Sequence, residues 1–296
     1  MEQARPARRM RNFNVFDLLN LLFMIAFILV TVLPFVHMFA VSTSQNGYAL
    51  RGEVGFWPKG FNWDMYAYVL QDGRLIRGML NTIVYTVVGV SIGLAITSMG
   101  AYALSKKKLT FQKGIMLAIL FTIMFGGGMI PTYLVVRSMG FIDTIWAMTV
   151  PGAVSTWHVI IMRTFFLNFS EELEEAAKVD GLNDFQIFYR IVVPLSSALF
   201  ATIGIFLSVG YWNDFFSALM YIRDLKMLPL QMIVRNIVLL GDVGADAGSN
   251  KGGGALISIN ALNYAVILFS IFPILLVYPL LQKYYVQGAM IGSVKS

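Results

Sequence analysis

The chain has 296 residues, of which 57% are hydrophobic and 13% are charged. Soluble domains average about 25% charged residues, so this composition excludes an ordinary soluble globular protein. The chain contains no cysteine, which excludes disulfides and thiolate metal sites. Its formal net charge of +6 comes from basic residues that flank apolar runs, which is typical of membrane topology signals and not of a nucleic-acid-binding surface.

The N-terminal segment, residues 1–15, is basic and leads into the apolar run 16–40. The apolar region of a cleavable signal peptide is only about 7–15 residues long. We therefore expect a cytoplasmic N-terminal segment followed by an uncleaved first span. A cleavable signal peptide remains the alternative interpretation.

Five more apolar runs have roughly the 20-residue length that crosses a bilayer, and none shows the alternation of barrel strands. The sequence therefore predicts an all-α, polytopic membrane protein with six transmembrane helices in one domain, 16–296. The predicted spans are 16–40, 78–104, 114–136, 144–166, 196–222 and 256–282.

The basic clusters RPARRMR and KKK fall on the same side of the membrane if the chain crosses it six times. Because positive residues accumulate in cytoplasmic segments, we expect both termini to be cytoplasmic. The last outside loop then contains a Gly-rich tract at 241–255. A loop that meets the solute and a simple mobile connector both remain open for this tract.

A polar segment, EELEEAAKVDGLNDFQIFYRIVVP, lies between the fourth and fifth predicted spans. Six of the chain's sixteen acidic residues fall within 171–184. Ser170 is placed to cap a first helix, Glu174 and Lys178 are spaced as an i, i+4 ion pair, and Gly181 is a natural stop. The segment therefore begins with a short acidic helix that ends at a glycine.

A second short helix follows, in which Asn183 and Gln186 have the spacing of a capping box and Pro194 marks the end. Four apolar residues are predicted to share one face of this helix: Phe185, Phe188, Tyr189 and Val192. A docked partner, the bilayer surface and the protein's own spans are the alternatives for covering that face.

The polar segment also resembles a known motif. Glu175, Ala176, Ala177, Gly181, Ile191 and Pro194 have the spacing E-A-A-x3-G-x9-I-x-L-P of the EAA loop of ABC importer permeases. Val193 stands where the motif has leucine. The stretches IPTYLVVRSMG, YWNDF and GAMIGSVKS resemble the carbohydrate-uptake subgroup, to which the smaller permease of the maltose importer belongs. Within it the chain is most similar to oligosaccharide and polysaccharide permeases, including those for acidic polymers such as alginate.

This resemblance implies the transmembrane domain of a type I ABC importer, with the EAA loop at 170–194 as a cytoplasmic helix-turn-helix coupling insertion. The implied partners are a second homologous permease, two copies of a cytoplasmic ATPase, an extracytoplasmic solute-binding protein, a saccharide and the lipid of the bacterial inner membrane. ATP and Mg²⁺ belong to the ATPase subunits, because this chain lacks the G-x-x-x-x-G-K-[ST] phosphate-binding loop. We expect no catalytic, cofactor or metal residue in it.

The resemblance assigns ATPase coupling to the polar segment, in particular to Glu171, Glu174, Glu175, Ala176, Ala177, Asp180, Gly181, Phe185, Phe188, Ile191 and Pro194. It further implies that the C-terminal tail, 288–296, reaches the ATPases; a frayed end is the alternative.

Sugar sites combine aromatic faces with amide or carboxyl groups, so a second set of residues is a candidate solute path. The set is Tyr133, Trp157, Tyr211, Trp212, Asn213 and Asp214, with helix packing as the alternative for each. A homodimeric permease for a non-sugar solute remains the alternative function. A secondary transporter is more remote, since only Asp214 is a plausible ionisable residue inside a span.

Overall fold

The computed structural model describes residues 14–106, 109–241 and 258–293; of Glu171 and of 278–293 it describes the backbone alone. All regular secondary structure within these ranges is helical, which confirms the all-α prediction. Residues 1–13, most of the Gly-rich tract and the end of the C-terminal tail lie outside the described residues. The predictions made for them therefore remain predictions.

The chain divides into two compact units, Met1–Tyr68 with Lys251–Leu268, and Val69–Asn250 with Phe269–Ser296. The first unit contains α1 (Val15–Ser42), α2 (Asn46–Leu50) and most of α3 (Asp64–Gln71). Helix α1 has a window of mean hydropathy 2.6, and none of that window is buried within the chain. A long apolar helix with this exposure is typical of a membrane span.

The second unit is organised around α4 (Gly73–Ser105), which packs against α8 (Thr156–Leu167), α12 (Ser197–Trp212) and α14 (Leu230–Leu240). Small residues on α4 allow this close approach, as is common between membrane helices. A methyl group added at Gly89 would lie 2.4 Å from the ring of Tyr211. The glycine is therefore required by the packing and not by the turn of the chain.

Three predicted spans, 16–40, 78–104 and 256–282, fall largely within single long helices: α1, α4 and α15 (Ile259–Ser293). The third predicted span, 114–136, is instead two helices, α5 (Gln112–Met124) and α6 (Met129–Ser138), bent by 120°. The break holds three consecutive glycines, and Gly128 has a left-handed φ of +84°. The prediction of an unbroken helix there was wrong because these glycines interrupt the helix.

The fourth predicted span, 144–166, is likewise divided, into α7 (Ile145–Thr149) and α8, by a turn that contains Pro151 and Gly152. The fifth, 196–222, consists of α12 and α13 (Phe216–Tyr221). By length and composition, the described residues hold three helices able to cross a membrane, or up to five if each bent pair is one span. The count of six spans remains a prediction.

Candidate coupling site

The polar segment begins with α9 (Glu171–Val179), after which the chain reverses at Gly181. Ser170 occupies the N-cap position as predicted, although its hydroxyl makes no capping hydrogen bond. The Gly181 N–H donates to the Lys178 carbonyl and the Leu182 N–H to the Ala177 carbonyl, both at 3.0 Å. These two bonds form a Schellman motif, which requires a left-handed residue, and Gly181 has a φ of +81°. The predicted stop at Gly181 is confirmed.

The second arm begins with α10 (Asp184–Ile187) and the predicted capping box. The Gln186 N–H donates to the Asn183 side chain at 2.8 Å, and the Asn183 N–H donates to the Gln186 side chain at 3.0 Å. The helix then widens into a π turn, Phe188–Val192, and ends with α11 (Val193–Leu195). The predicted helix-turn-helix arrangement is therefore present.

The apolar face of this second arm differs from the prediction. Phe188 and Val192 are buried, together with Ile187, but Phe185 and Tyr189 are each 68% exposed. The π turn advances the chain by a smaller angle per residue than an α-helix, and this brings Val192 into line with Ile187 and Phe188. The four residues therefore divide into a buried pair and an exposed aromatic pair.

The buried side of the segment continues directly into the helical core. Ala177, Ile187, Phe188 and Val192 share one cluster with residues of α4, α8 and α12. The ring of Tyr102, near the end of α4, lies 5.2 Å from the ring of Phe188. The protein's own spans thus cover one side of the second arm, as one of the three alternatives proposed. The segment and these helices therefore share one continuous packed core.

A polar contact joins the first arm to the end of α4. The Lys106 ammonium forms an ion pair with the Glu174 carboxylate, and the Tyr102 hydroxyl donates to the same carboxylate at 3.4 Å. The ammonium also lies 4.0 Å from the centre of the Tyr102 ring. We call these three residues, Tyr102, Lys106 and Glu174, the clasp.

The predicted ion pair between Glu174 and Lys178 is not the one that forms. Lys178 instead pairs with Asp184 at 2.9 Å, across the turn at Gly181. The hydrogen bond to Asp184 and the attraction of its charge raise the pKa of Lys178 above its ordinary value. Glu174 and Lys178 do have the i, i+4 spacing on α9. However, Glu174 pairs with Lys106 and Lys178 pairs with Asp184, and both of these partners lie outside α9.

The predicted coupling residues lie on two different surfaces. Ala177 and Phe188 are buried, Ile191 is half-buried and Glu174 is held in the clasp. The exposed residues are Glu175, Ala176, Asp180, Gly181, Phe185 and Pro194. The side chain of Glu171 is outside the described part of the structure.

The strongest candidates for the solute path are engaged in packing. Tyr211 is buried and its hydroxyl donates to the Thr149 carbonyl at 2.6 Å. Trp212 is also buried, and its ring N–H donates to the Ser270 carbonyl at 3.3 Å. With their polar atoms occupied by backbone carbonyls, both residues favour the alternative of helix packing.

The other candidates are more accessible. The Asn213 side chain donates to the Val209 carbonyl at 2.9 Å, while Asp214 caps α13 by accepting from the Ser217 N–H at 2.9 Å. Trp157 is exposed. These residues remain available to a solute only in part, because the first two carry local structural bonds.

Tyr133, on α6, has a different setting. Its ring is stacked on Tyr221 with centres 6.2 Å apart, and Arg223 donates from Nη2 to its hydroxyl at 3.4 Å. The Asp143 carboxylate accepts the N–H groups of Arg223 and of Asp224, the latter at 3.0 Å. These backbone hydrogen bonds hold the pKa of Asp143 below its ordinary value. The result is an aromatic face beside a positioned guanidinium.

Arg223, Asp143, Tyr102 and Lys106 were not among the predicted site residues. Lys106 belongs to the KKK cluster, which we interpret from its sequence pattern as an orientation signal. That interpretation predicts no specific partner for any of the three lysines. The other contacts join positions 72 or more residues apart, so no local spacing indicates them. Among the described residues, no group of three or more His, Asp or Glu is placed to hold a metal ion.

A scan against protein-family models finds no match. The polygalacturonan/rhamnogalacturonan transport system permease protein YtcP of Bacillus subtilis (strain 168) is 37% identical over 282 residues, which cover 95% of this chain and 99% of YtcP. Protein LplC of the same organism is 40% identical over 282 residues, covering 95% of each chain.

The crystal structure of a bacterial ABC transporter that imports the acidic polysaccharide alginate contains a similar chain, with a TM-score of 0.86 and 32% sequence identity. The match covers 93% of this chain and 98% of that one. Relatives this similar, over nearly their whole length, share one fold and one kind of task. A chain with such relatives is a multi-pass membrane subunit that transports a substrate and is not an enzyme, and it works with ATPase and solute-binding partners. The chain therefore belongs to the sugar permeases of ABC importers.

Proposed function

We propose that this chain forms half of the path for an acidic oligosaccharide or polysaccharide, and that segment 170–194 is where a cytoplasmic ATPase docks. The observation that carries the docking proposal is the division of the segment into two surfaces. Its buried side belongs to the core of α4, α8 and α12. Its other side exposes an aromatic pair and an acidic residue with no covering element in the described structure: Phe185, Tyr189 and Glu175.

Three sets of contacts hold the two arms of the segment together as one rigid body. The Schellman motif fixes the turn, the capping box fixes the start of the second arm, and the Lys178–Asp184 ion pair spans the two arms. An ATPase that closes on ATP would push against the exposed surface, and the buried surface would tilt the helices beneath it. ATP and Mg²⁺ remain on the ATPase.

The exposed surface suits a cleft in a partner protein. Phe185 and Tyr189 supply an apolar anchor, since aromatic residues are enriched at interface centres. Ala176 is small enough for close backbone approach, and the carboxylate of Glu175 is available to a basic residue of the ATPase. Both features favour a docked partner protein as the surface that covers the exposed side of the segment.

The complete transporter, in this proposal, contains a second homologous permease, two ATPase copies and an extracytoplasmic binding protein, in the bacterial inner membrane. Both termini and segment 170–194 face the cytoplasm. Copurification of tagged chain with a distinct permease of similar size supports this assembly. A complex in which two copies of this chain pair with one another contradicts it and favours the homodimeric alternative.

An acidic cargo is supported by two relatives, whose names specify polygalacturonan/rhamnogalacturonan and alginate as their substrates. Arg223 is exposed, and Tyr133 is half-buried with its ring stacked on Tyr221. Together they supply the matching chemistry, with a ring for contact with a sugar and a guanidinium for a carboxylate. We infer that Tyr133 contacts the cargo, whereas Tyr211 and Trp212 shape the path by packing.

The docking proposal is tested with the purified transporter in lipid nanodiscs, by measuring ATP hydrolysis with and without loaded binding protein. Phe185→Ala should reduce stimulated hydrolysis and ATPase retention. Phe111→Ala removes another exposed phenylalanine, outside the segment, and should change neither. Equal loss in both variants would reject a specific dock at Phe185. The cargo is identified by mass spectrometry of the saccharide that remains on the binding protein.

A further inference from the structure

A groove of about 220 Å³ lies between α5 and α8, beside the end of α4. It is lined by Gln112, Lys113, Met116, Leu117, Leu120 and Arg163. None of these residues belongs to segment 170–194 or to the candidate solute path. The groove therefore needs an explanation of its own.

Two cations converge on the groove from different helices. The Arg163 Nε donates to the Leu104 carbonyl at 2.9 Å, and the Gln112 side chain donates to the same carbonyl at 2.6 Å. This shared acceptor fixes the guanidinium and leaves its Nη groups for another ligand. Among the side chains that the structure describes, neither Arg163 nor Lys113 forms an ion pair with a carboxylate. An anion would complete this arrangement.

The rest of the groove is apolar and runs along α5. Lys113, Met116, Leu117 and Leu120 follow the i, i+3, i+4, i+7 spacing of one helix face. At about 1.5 Å per residue, the apolar wall extends about 10 Å from the lysine. Leu117 is 70% exposed, which a water-filled setting would disfavour. The site thus has a cationic end and an apolar wall, on a helix of a bent apolar pair that is long enough to cross a membrane if the pair is one span.

We propose that this groove binds an anionic phospholipid. Its phosphate accepts hydrogen bonds from Arg163, Lys113 and the helix start, and an acyl chain lies along Met116, Leu117 and Leu120. A nucleotide or a free sugar would leave the apolar wall uncovered, and a zwitterionic lipid would place a third cation beside the two present. The bound lipid joins α5 to α8 next to Leu104, which lies in the last turn of α4 between the clasp residues Tyr102 and Lys106.

The assembled transporter, in nanodiscs of equal parts phosphatidylglycerol and phosphatidylcholine, provides the test. Native mass spectrometry measures the ratio of the two lipids retained. The wild type should retain phosphatidylglycerol in preference, and Lys113→Gln should reduce that preference about fivefold. Lys113→Arg keeps the charge and should restore it. Lys226→Gln, an equal loss of charge on an exposed lysine outside the groove, should leave it unchanged.

Three outcomes would overturn the proposal. The first is a wild-type complex that shows no preference for phosphatidylglycerol, as expected if another subunit covers the groove. The second is a loss of that preference in the Lys226→Gln control that equals the loss in Lys113→Gln. The third is displacement of the lipid by millimolar glycerol phosphate in the presence of intact nanodiscs, which would identify a site for a soluble anion. None of these results depends on where the ATPase docks, so the lipid proposal and the docking proposal can fail separately.

Discussion

The Lys106 ammonium and the Glu174 carboxylate form an ion pair that joins the end of the longest helix of the second unit, α4, to the first arm of segment 170–194. Their side chains are 32% and 14% exposed, so the pair is partly withdrawn from water. Tyr102 contributes both a hydrogen bond to the carboxylate and a ring face to the ammonium. In the proposed coupling, movement of the segment would therefore be transmitted to α4 as well as to the helices that flank the segment in the chain.

Lys106→Gln should weaken the attachment of the first arm, because it leaves Glu174 without its cation in a partly buried position. We expect a cost of about 1–3 kcal/mol, seen as a lower melting temperature of the purified transporter and less transport per ATP hydrolysed. Arg51→Gln is the control, since it removes an exposed ion pair outside the segment, worth about 0–1 kcal/mol. Exchange of the two charges, Lys106→Glu with Glu174→Lys, should recover part of the loss. Normal coupling in Lys106→Gln would show that the clasp transmits nothing.

Gly181→Ala should impair ATPase binding through the backbone alone. An added Cβ at this position meets no atom within 4 Å, yet φ is +81°, which costs a side-chain-bearing residue about 1–2 kcal/mol. Gly181→Asn should be milder, because asparagine tolerates the left-handed region. The measurement is ATPase retention on a tagged permease. Gly100→Ala, at an equally open helical position without positive φ, should retain the ATPase fully.

Tyr211→Phe separates packing from solute contact. Loss of the hydroxyl leaves the Thr149 carbonyl without its hydrogen bond and should destabilise the protein by about 1–3 kcal/mol. If Tyr211 acts only in packing, the concentration of saccharide that gives half-maximal uptake will not change. If that concentration rises while the melting temperature stays unchanged, Tyr211 contacts the solute.

Gly89→Ala probes the same contact from α4. The new methyl group would overlap the Tyr211 ring, and a clash with a buried ring should cost about 1–3 kcal/mol. Gly210→Ala has open space at its Cβ and should be tolerated. Melting temperatures of the two variants compare them directly; equal values would mean that α4 and α12 can separate without loss.

Asp143 should make the loop at Arg223 sensitive to acid. Its folded pKa lies below the ordinary value, so its contribution to stability is present above about pH 4 and is lost as the pH falls through the folded pKa. Hydrogen-exchange protection of the Arg223 and Asp224 amides should stay constant from pH 7 to pH 5 and decline below about pH 4. Asp143→Asn should show weaker protection at pH 7 and no such decline. A decline of the same size in Asp143→Asn would assign it to another group.

Local chemistry was sufficient for much of the coupling segment. A glycine placed after a short acidic helix, and an Asn three residues before a Gln, specify a turn and a helix start whatever surrounds them. The long apolar runs likewise determined the membrane class and the all-α fold, because only helices and closed barrels satisfy their backbone hydrogen bonds in lipid and the runs lack the alternation of barrel strands. The spacing of the EAA motif identified the family, because several fixed residue types at fixed intervals rarely occur by chance.

Only the tertiary structure decided which faces of these elements are used. The π turn at Phe188–Val192 separates buried from exposed aromatic residues, and it depends on packing against α4 and α8. The partners of Glu174, Tyr211 and Tyr133 are 60 to 90 residues away in the chain, beyond the reach of any periodic pattern. Hydropathy likewise does not register a break at glycines inside an apolar run. The sequence alone therefore determined what kind of protein this is, whereas long-range packing decided which side chains lie on the surfaces proposed for the ATPase, the lipid and the cargo.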